Sequence, residues 1–396
     1  MNKNFYLDFT GLPKELRLLL EIIKADYDSL SSINVETEID WNLFYELSMH
    51  HRIYPLIYPK LKLIDNKGIP DNVINSLGQL YKRNTFHMLQ LSAEMGKISQ
   101  LFSDDKIRLL NLKGPVLATD LYGELSLRTC GDLDVLVPIQ DLEKAERLLL
   151  NQGYIKDDYI HTILGDWKWR HHHVTYYHSM KQIKIEIHWR LNPGPGKEPH
   201  FDELWERKRI SALSSYPVYY LGREDLFYFL VTHGARHGWS RLRWLIDINE
   251  ILKQDIDWGK LVKTLKKYQY LHIGGQALIL ASQLLNSKFP KDSKPLIIKN
   301  RSNQLAQEAL FYFERMVNLH TFPVPVDVAA YHKHHLFSLM SGKQKVLFLL
   351  SFLYPYPEDA ELFPLPKEFH FLYFPLRPFL WTWKKLKKQV LRRRAT

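Results

Sequence analysis

The chain has 396 residues, of which 45% are hydrophobic and 24% charged, so it holds enough apolar material for two domains or three small ones and is not a disordered polyelectrolyte. Its 54 Lys and Arg outnumber 43 Asp and Glu, and the formal charge of +11 favours polyanionic company: nucleotides, nucleic acid or an acidic membrane surface. The single cysteine, Cys130, excludes an internal disulfide and a cysteine-based zinc site.

The N-terminal stretch from Met1 to Gly11 lacks the apolar run and small-residue cleavage site of a secretory signal. The longest apolar run, Val346 to Tyr354, is far short of the ~20 residues a membrane span needs. The expectation is a soluble, cytoplasmic protein.

The first hundred residues read as helices. Leu16, Leu19, Leu20 and Ile23 recur with helical spacing after Pro13, and Trp41, Leu43, Phe44 and Leu47 predict a second helix capped by Asp40. Residues from Pro70 to Phe102 predict one or two more. The texture changes at Ile107: Ile107 to Leu112 is a short apolar strand, and Lys113-Gly114-Pro115 ends it and opens a helix over Val116 to Tyr122. Leu133 to Val137 is a second strand. Asp141 is the expected cap of the helix that follows, and Gly153 closes that helix. Val174 to Tyr177 and Gln182 to Trp189 read as strands joined by a turn near Ser179 to Lys181. Asn192 to Pro199 is a loop by composition. Helical spacing returns over Asp225 to His233, Leu242 to Leu252, Trp258 to Tyr268 and Gly275 to Leu285. The fold class is α+β, a small mixed sheet between helical N-terminal and C-terminal regions. The predicted divisions are 1–104 (helical), 105–221 (α/β core), 222–340 (helical) and 341–396 (an aromatic, basic extension).

Gly131-Asp132-Leu133-Asp134-Val135-Leu136-Val137 carries the most chemistry. Strand side chains alternate between faces, so Asp132 and Asp134 point one way while Leu133, Val135 and Val137 enter a core. Two carboxylates so close are costly without a cation between them. Hard oxygen ligands of this kind suit Mg²⁺ or Mn²⁺. An isolated Asp-x-Asp pair is more often a cap beside a solvated side chain, so a third carboxylate matters. In Gln182 to Trp189, Ile183, Ile185 and Ile187 share one face, and Lys184, Glu186 and His188 share the other. If this strand neighbours the first, three carboxylates converge in a geometry that supports two cations at a phosphoryl displacement. Otherwise Glu186 simply pairs with Lys184 on a half-exposed strand. Lys113-Gly114 suits phosphate approach at a helix N-terminus, and Arg128 is a candidate phosphate ligand.

Leu112-Lys113-Gly114, Leu121-Tyr122-Gly123, Leu127-Arg128, the Asp132–Asp134 strand and Ile185-Glu186-Ile187-His188-Trp189-Arg190 together resemble the uncharacterised nucleotidyltransferase family of the polymerase-β-like superfamily. His233-Gly234, His237-Gly238-Trp239, Arg241-Leu242 and Trp244 to Ile248 look like its helical part, so the resemblance spans about 40–320. It implies a nucleotidyltransferase core in which Asp132 and Asp134 are the paired metal-binding carboxylates and Glu186 the third. Lys113-Gly114 stands where the superfamily has Gly-Gly or Gly-Ser, with a longer gap to Asp132. The implied reaction is Mg²⁺- or Mn²⁺-dependent transfer of an NMP from an NTP, such as ATP, to an acceptor hydroxyl or phosphate. Lys113, Gly114, Arg128, His173, His188 and Arg241 are the expected nucleotide-binding residues. The acceptor stays open among peptide or protein, RNA and small molecule. Two other readings are an inactive binding module on the same fold and a basic RNA- or membrane-associated protein.

His171-His172-His173 reads first as a polar strand start; a strand would turn either His171 and His173, or His172 alone, to the site, and if one histidine acts, His173 is the choice the family pattern favours. His233 and His237 share a helix face and are expected near Trp239 and Arg241. Arg241, Trp244 and Asp247 fall at three-residue steps, either as an Arg–Asp pair stabilising the helices or as a wall facing the carboxylates. Cys130 reads as a buried thiol. From Phe379 to Arg394, Trp381 and Trp383 mingle with Lys384, Lys385, Lys387, Lys388 and Arg392 to Arg394, a mixture that anchors helices at lipid surfaces, grips nucleic acid, or forms a solvated terminal helix with its aromatics packed on the body.

Overall fold

Seven strands form one mixed sheet in the computed structural model, which describes residues 6–33, 35, 38–64, 68–297, 300–319, 321 and 323–395, with side chains as far as Leu386. They are β1 (Leu110–Asn111), β2 (Leu133–Leu136), β3 (Ile155–Lys156), β4 (His173–His178), β5 (Ile183–His188), β6 (Arg209–Ser211) and β7 (Val218–Tyr220), in the order β3-β4-β5-β2-β1-β7-β6. β4 and β5 form an antiparallel hairpin, and β5 then lies parallel to β2. β1 pairs antiparallel with β2 and parallel with β7.

The apolar stripe of β2 and β5 explains which way the sheet faces. Leu133, Val135, Val137, Ile183, Ile185 and Ile187 are buried in one cluster with Met88, Leu91, Met95, Ile98 and Phe102. Those five recur at three- and four-residue steps on a single 34-residue helix, Asp71–Asp104, which covers that face. Burying each such side chain is worth about 1.5–3 kcal/mol. The helix Leu142–Asn151 adds Leu142, Ala145 and Leu149 to the same core. The opposite sheet face carries Asp134, Lys184, Glu186 and His188, while its Leu110 and Leu136 join a second core built by the helices Lys14–Lys24, Arg223–Arg236, Leu242–Ile251 and Leu271–Leu285.

Asp40 caps Trp41–His50 as expected, its carboxylate accepting from the backbone N–H of Asn42 and Leu43. Asp141 does not cap: it ends a 3₁₀ turn, Ile139–Asp141, and its side chain makes no capping bond. The strand expected from Ile107 shrinks to Leu110–Asn111. Several elements were not anticipated: β3, β6, β7, the helix Tyr54–Leu61, and the helices beyond Leu285, including Asn300–Glu314 and Val326–Leu339. Among the described residues no helix is long and apolar enough to cross a membrane.

Buried imidazoles make the fold acid-sensitive. Burial lowers His335 to about 4, and burial beside Arg241 lowers His50 to about 4; His51 and His233 are likewise depressed by burial. The unfolded chain would protonate these rings near pH 6.5, whereas the folded protein refuses the proton until far lower pH. Their stabilisation is therefore complete above about pH 6.5 and is lost as pH falls towards 4. For His335 the full span corresponds to roughly 3 kcal/mol. Tm should fall between pH 7 and pH 5, and it should fall less in His335→Gln, which cannot titrate. Identical slopes for the two proteins would refute the assignment.

Candidate active site

β2 and β5 run in register, with Leu133 opposite Ile185 and Asp134 opposite Glu186. Two carboxylates from distant sequence positions therefore meet on the polar face. Leu136 pairs with His188, and His188 pairs across the hairpin with His173. Asp134 Oδ1 accepts from Lys113 Nζ at 3.1 Å and lies 3.1 Å from His188 Nε2. His188 Nε2 is also 3.5 Å from Glu186 Oε2, and His173 Nε2 is 3.7 Å from that same oxygen.

Asp132 joins through Lys184. Its Oδ2 and Glu186 Oε1 each sit 2.8 Å from Lys184 Nζ, so the two oxygens lie within twice that distance of one another. The three predicted carboxylates converge. Lys184, read as a mere strand partner in the sequence, stands between two of them.

The electrostatics follow from this packing. Burial pushes the Glu186 carboxyl up, but the hydrogen bond from His188, the nearby His173 and Lys184 overcome it and hold the group well below the usual range. Asp132 is likewise lowered: burial and Glu186 oppose ionisation, while Lys113 and Lys184 favour it more strongly. For His188 burial disfavours the proton, yet Asp134 and Glu186 raise it above the ordinary imidazole value. Burial and His188 lower His173 to about 4, and burial and Arg236 depress His172 further.

One oxygen has no partner. Asp134 Oδ2 is buried and makes no hydrogen bond, which costs free energy unless a cation satisfies it. One ligand atom each from Asp134, Glu186 and His188 lie within 4.8 Å of one another, as do those of His172, His173 and His188. The first set, two carboxylates and an imidazole, would hold a divalent cation once it displaces the proton that Asp134 and Glu186 favour on His188; an imidazole suits Mn²⁺ better than Mg²⁺.

Gly114 has φ +86° immediately before the helix Pro115–Tyr122, a conformation that suits glycine alone. A side chain there would start in contact with Leu133, Cys130 and the Asp132 backbone carbonyl, so this turn abuts the start of β2. The Cys130 thiol donates to that carbonyl at 2.8 Å, and burial raises its pKa, in keeping with an inert thiol.

Two expected phosphate ligands are committed elsewhere. The Arg128 guanidinium is buried in a bidentate pair with Asp247, at 2.8 and 2.9 Å, and Tyr122 also donates to Asp247 at 2.7 Å. A solvent-borne triphosphate cannot reach it; Arg128 pins the loop that leads to Asp132. Arg241 donates to the His50 carbonyl and to Asn318 Oδ1, the latter at 3.0 Å, so it neither pairs with Asp247 nor forms a wall to the site. His233 and His237 share a face as expected but pack on Trp244, while Trp239 lies against Gly234.

The histidine run behaves differently from the expectation of alternating faces. β4 begins only at His173, so His172 is free of strand geometry, and its Nε2 lies 3.2 Å from His173 Nδ1. Both rings turn to His188.

Arg236 was missed. Its Nη1 is buried without a hydrogen-bond partner, and its charge bears on His172 and His173. It also lines a cavity of about 450 Å³ with Trp169, His171, Tyr270, Phe348 and Tyr356. The available signal was its place inside His233 to His237.

This convergence on a mixed sheet flanked by helices agrees with a family comparison, in which residues 37–286 match the uncharacterised nucleotidyltransferase family. The chain belongs to this family. The matched span takes in every carboxylate, lysine and histidine of the site. No curated protein matches the chain.

Proposed function

We propose that this member of the family transfers an NMP from an NTP to an acceptor hydroxyl or phosphate, with Mn²⁺ or Mg²⁺ held by Asp134, Glu186 and His188 and, through a second ion, Asp132. The observation that carries the reading is Asp134 facing Glu186 across the β2–β5 pair with one carboxylate oxygen unsatisfied. When bound, the ions would neutralise charge on the attacking and leaving oxygens. Lys113 and the turn at Gly114 would receive the triphosphate, where an ammonium and a helix N-terminus favour anions. Glu186, held ionised by His188, His173 and Lys184, would serve as a ligand. His172 and His173, kept neutral, offer hydrogen bonds without adding positive charge. The cavity that Arg236 lines would admit the acceptor. Catalysis is then mainly positioning and charge neutralisation.

A second reading rests on Lys184. An ammonium bridging Asp132 and Glu186 is what a cation-free site would use, and it favours a binding module without turnover. One experiment separates the two. The full chain is incubated with Mn²⁺ or Mg²⁺, each α-labelled NTP and a cell lysate as the source of acceptors. Label transferred to protein, RNA or small molecules, and removed by chelation, supports the enzyme. Divalent-dependent nucleotide binding without transfer supports the module. Absence of both, with no Mn²⁺ bound in an electron paramagnetic resonance titration, overturns the metal site itself.

A further inference from the structure

The C-terminal segment exposes apolar surface to an extent the rest of the protein does not. Val346, Leu347, Leu349 and Leu350, on the helix Gly342–Ser351, are exposed, and none of that helix's residues is fully buried. A helix with apolar side chains on several sides is normally buried in protein or lipid. Phe352, Leu353, Phe369, Phe371, Leu372 and Phe374 continue the exposed surface. It runs on to Phe379 (73% exposed), Trp381 and Trp383 (62%) on the helix Tyr373–Ala395.

This segment is nonetheless built rather than frayed. Arg377 pairs with Asp359 in the interior and donates to the Phe352 carbonyl, and the Tyr373 hydroxyl donates to the Phe363 carbonyl at 2.8 Å. The Tyr354 hydroxyl donates to the Leu164 carbonyl, and the Arg170 guanidinium stacks on Tyr356. The apolar side chains are therefore held outward by a fixed scaffold, and a patch of this kind marks an interaction site.

Charge indicates what covers it. Between Lys384 and Arg394 the sequence holds seven Lys and Arg and no acidic residue. The Lys385 ammonium lies 3.8 Å from the Trp381 ring centre. Tryptophans and leucines beside a run of cations match the boundary between acyl chains and anionic headgroups. We propose that residues 346–386, with the basic sequence that follows, seat the protein on an anionic lipid bilayer as a peripheral anchor. Because the same segment supplies Phe348 and Tyr356 to the cavity beyond Arg236, seating would place the mouth of that cavity close to the bilayer surface.

The test is co-sedimentation of the full chain with vesicles of phosphatidylcholine alone or with ~30 mol% phosphatidylglycerol. The expected result is binding to the anionic vesicles that weakens with salt. Trp381→Ser with Trp383→Ser, and separately Leu349→Ser with Leu350→Ser, should weaken it at least tenfold. Both pairs are exposed, so melting curves should be unchanged. Lys384→Glu with Lys385→Glu should remove the preference for the anionic lipid. Failure to bind anionic vesicles, or binding indifferent to all three double variants, overturns the proposal. So does a concentration-dependent dimer that buries the two tryptophans, which would make this face a chain–chain interface. Affinity for single-stranded RNA that falls in the same variants while vesicles stay unbound overturns it as well.

Discussion

Replacing Asp134 by asparagine is expected to lower NMP transfer by ~10³-fold or more while leaving the protein folded. The carboxylate accepts from Lys113 and sits against His188 through Oδ1, and Oδ2 has no partner. An amide keeps the size and the Oδ1 contacts, so the thermal transition should move little. It removes the negative charge and one hard ligand oxygen, so Mn²⁺ affinity should collapse together with turnover. Two readouts give the result its meaning. Loss of both Mn²⁺ binding and transfer, with Tm unchanged, is the signature of a metal ligand. Retained transfer would show that the cation is not held at this pair. Asp132→Asn differs in kind, because Asp132 is neutralised by Lys184 as well as by Lys113. Its loss would free that ammonium to pair with Glu186 alone, and some Mn²⁺ binding at Asp134, Glu186 and His188 should survive.

How far the site could be read from the sequence depended on how local its determinants are. Strand alternation placed Lys184, Glu186 and His188 on one face, because the three isoleucines that alternate with them had to be buried. The parallel pairing of β2 with β5 was needed to turn two polar faces into one site. Sequence could state that pairing only as a condition, since nothing local encodes which strands become neighbours. The amphipathic helices were legible from spacing for the same reason as the strands. Short elements such as β6 and β7 have too few residues to show a period. Asp141 satisfied the residue preference for a cap but not the geometry, since it ends a 3₁₀ turn. The partner of Arg128 could not be read because it lies 119 positions away. An arginine four residues before an Asp-x-Asp pair reads the same whether it meets phosphate or a buried carboxylate. His172 joins His173 rather than excluding it, because the strand begins only at His173 and alternation does not hold the two rings on opposite faces.

The Arg128–Asp247 pair yields the largest expected loss of stability. Both side chains are almost wholly inaccessible, with 1% and 0% exposure. Asp247→Ala would leave a guanidinium and the Tyr122 hydroxyl buried without their acceptor, and removing one partner of such a pair costs about 3–5 kcal/mol. Urea denaturation should show a shift of that size. The consequence should extend to the site, because the same loop is held by the Asn84 amide donating to the Ser126 carbonyl at 2.9 Å and by Arg243 donating to the Thr129 carbonyl at 2.6 Å. With its central anchor gone, the loop would hold Asp132 less firmly, and transfer should fall even at temperatures where the variant stays folded. Replacing both partners, Arg128→Met with Asp247→Leu, should recover part of the stability, because the Arg128 guanidinium is no longer buried without its carboxylate, although the Tyr122 hydroxyl still lacks an acceptor. A phosphate-binding role for Arg128 predicts the reverse pattern: a raised KM for the NTP in Arg128→Met, and little change in the denaturation midpoint of Asp247→Ala. The burial of both groups and the bidentate geometry favour the structural outcome.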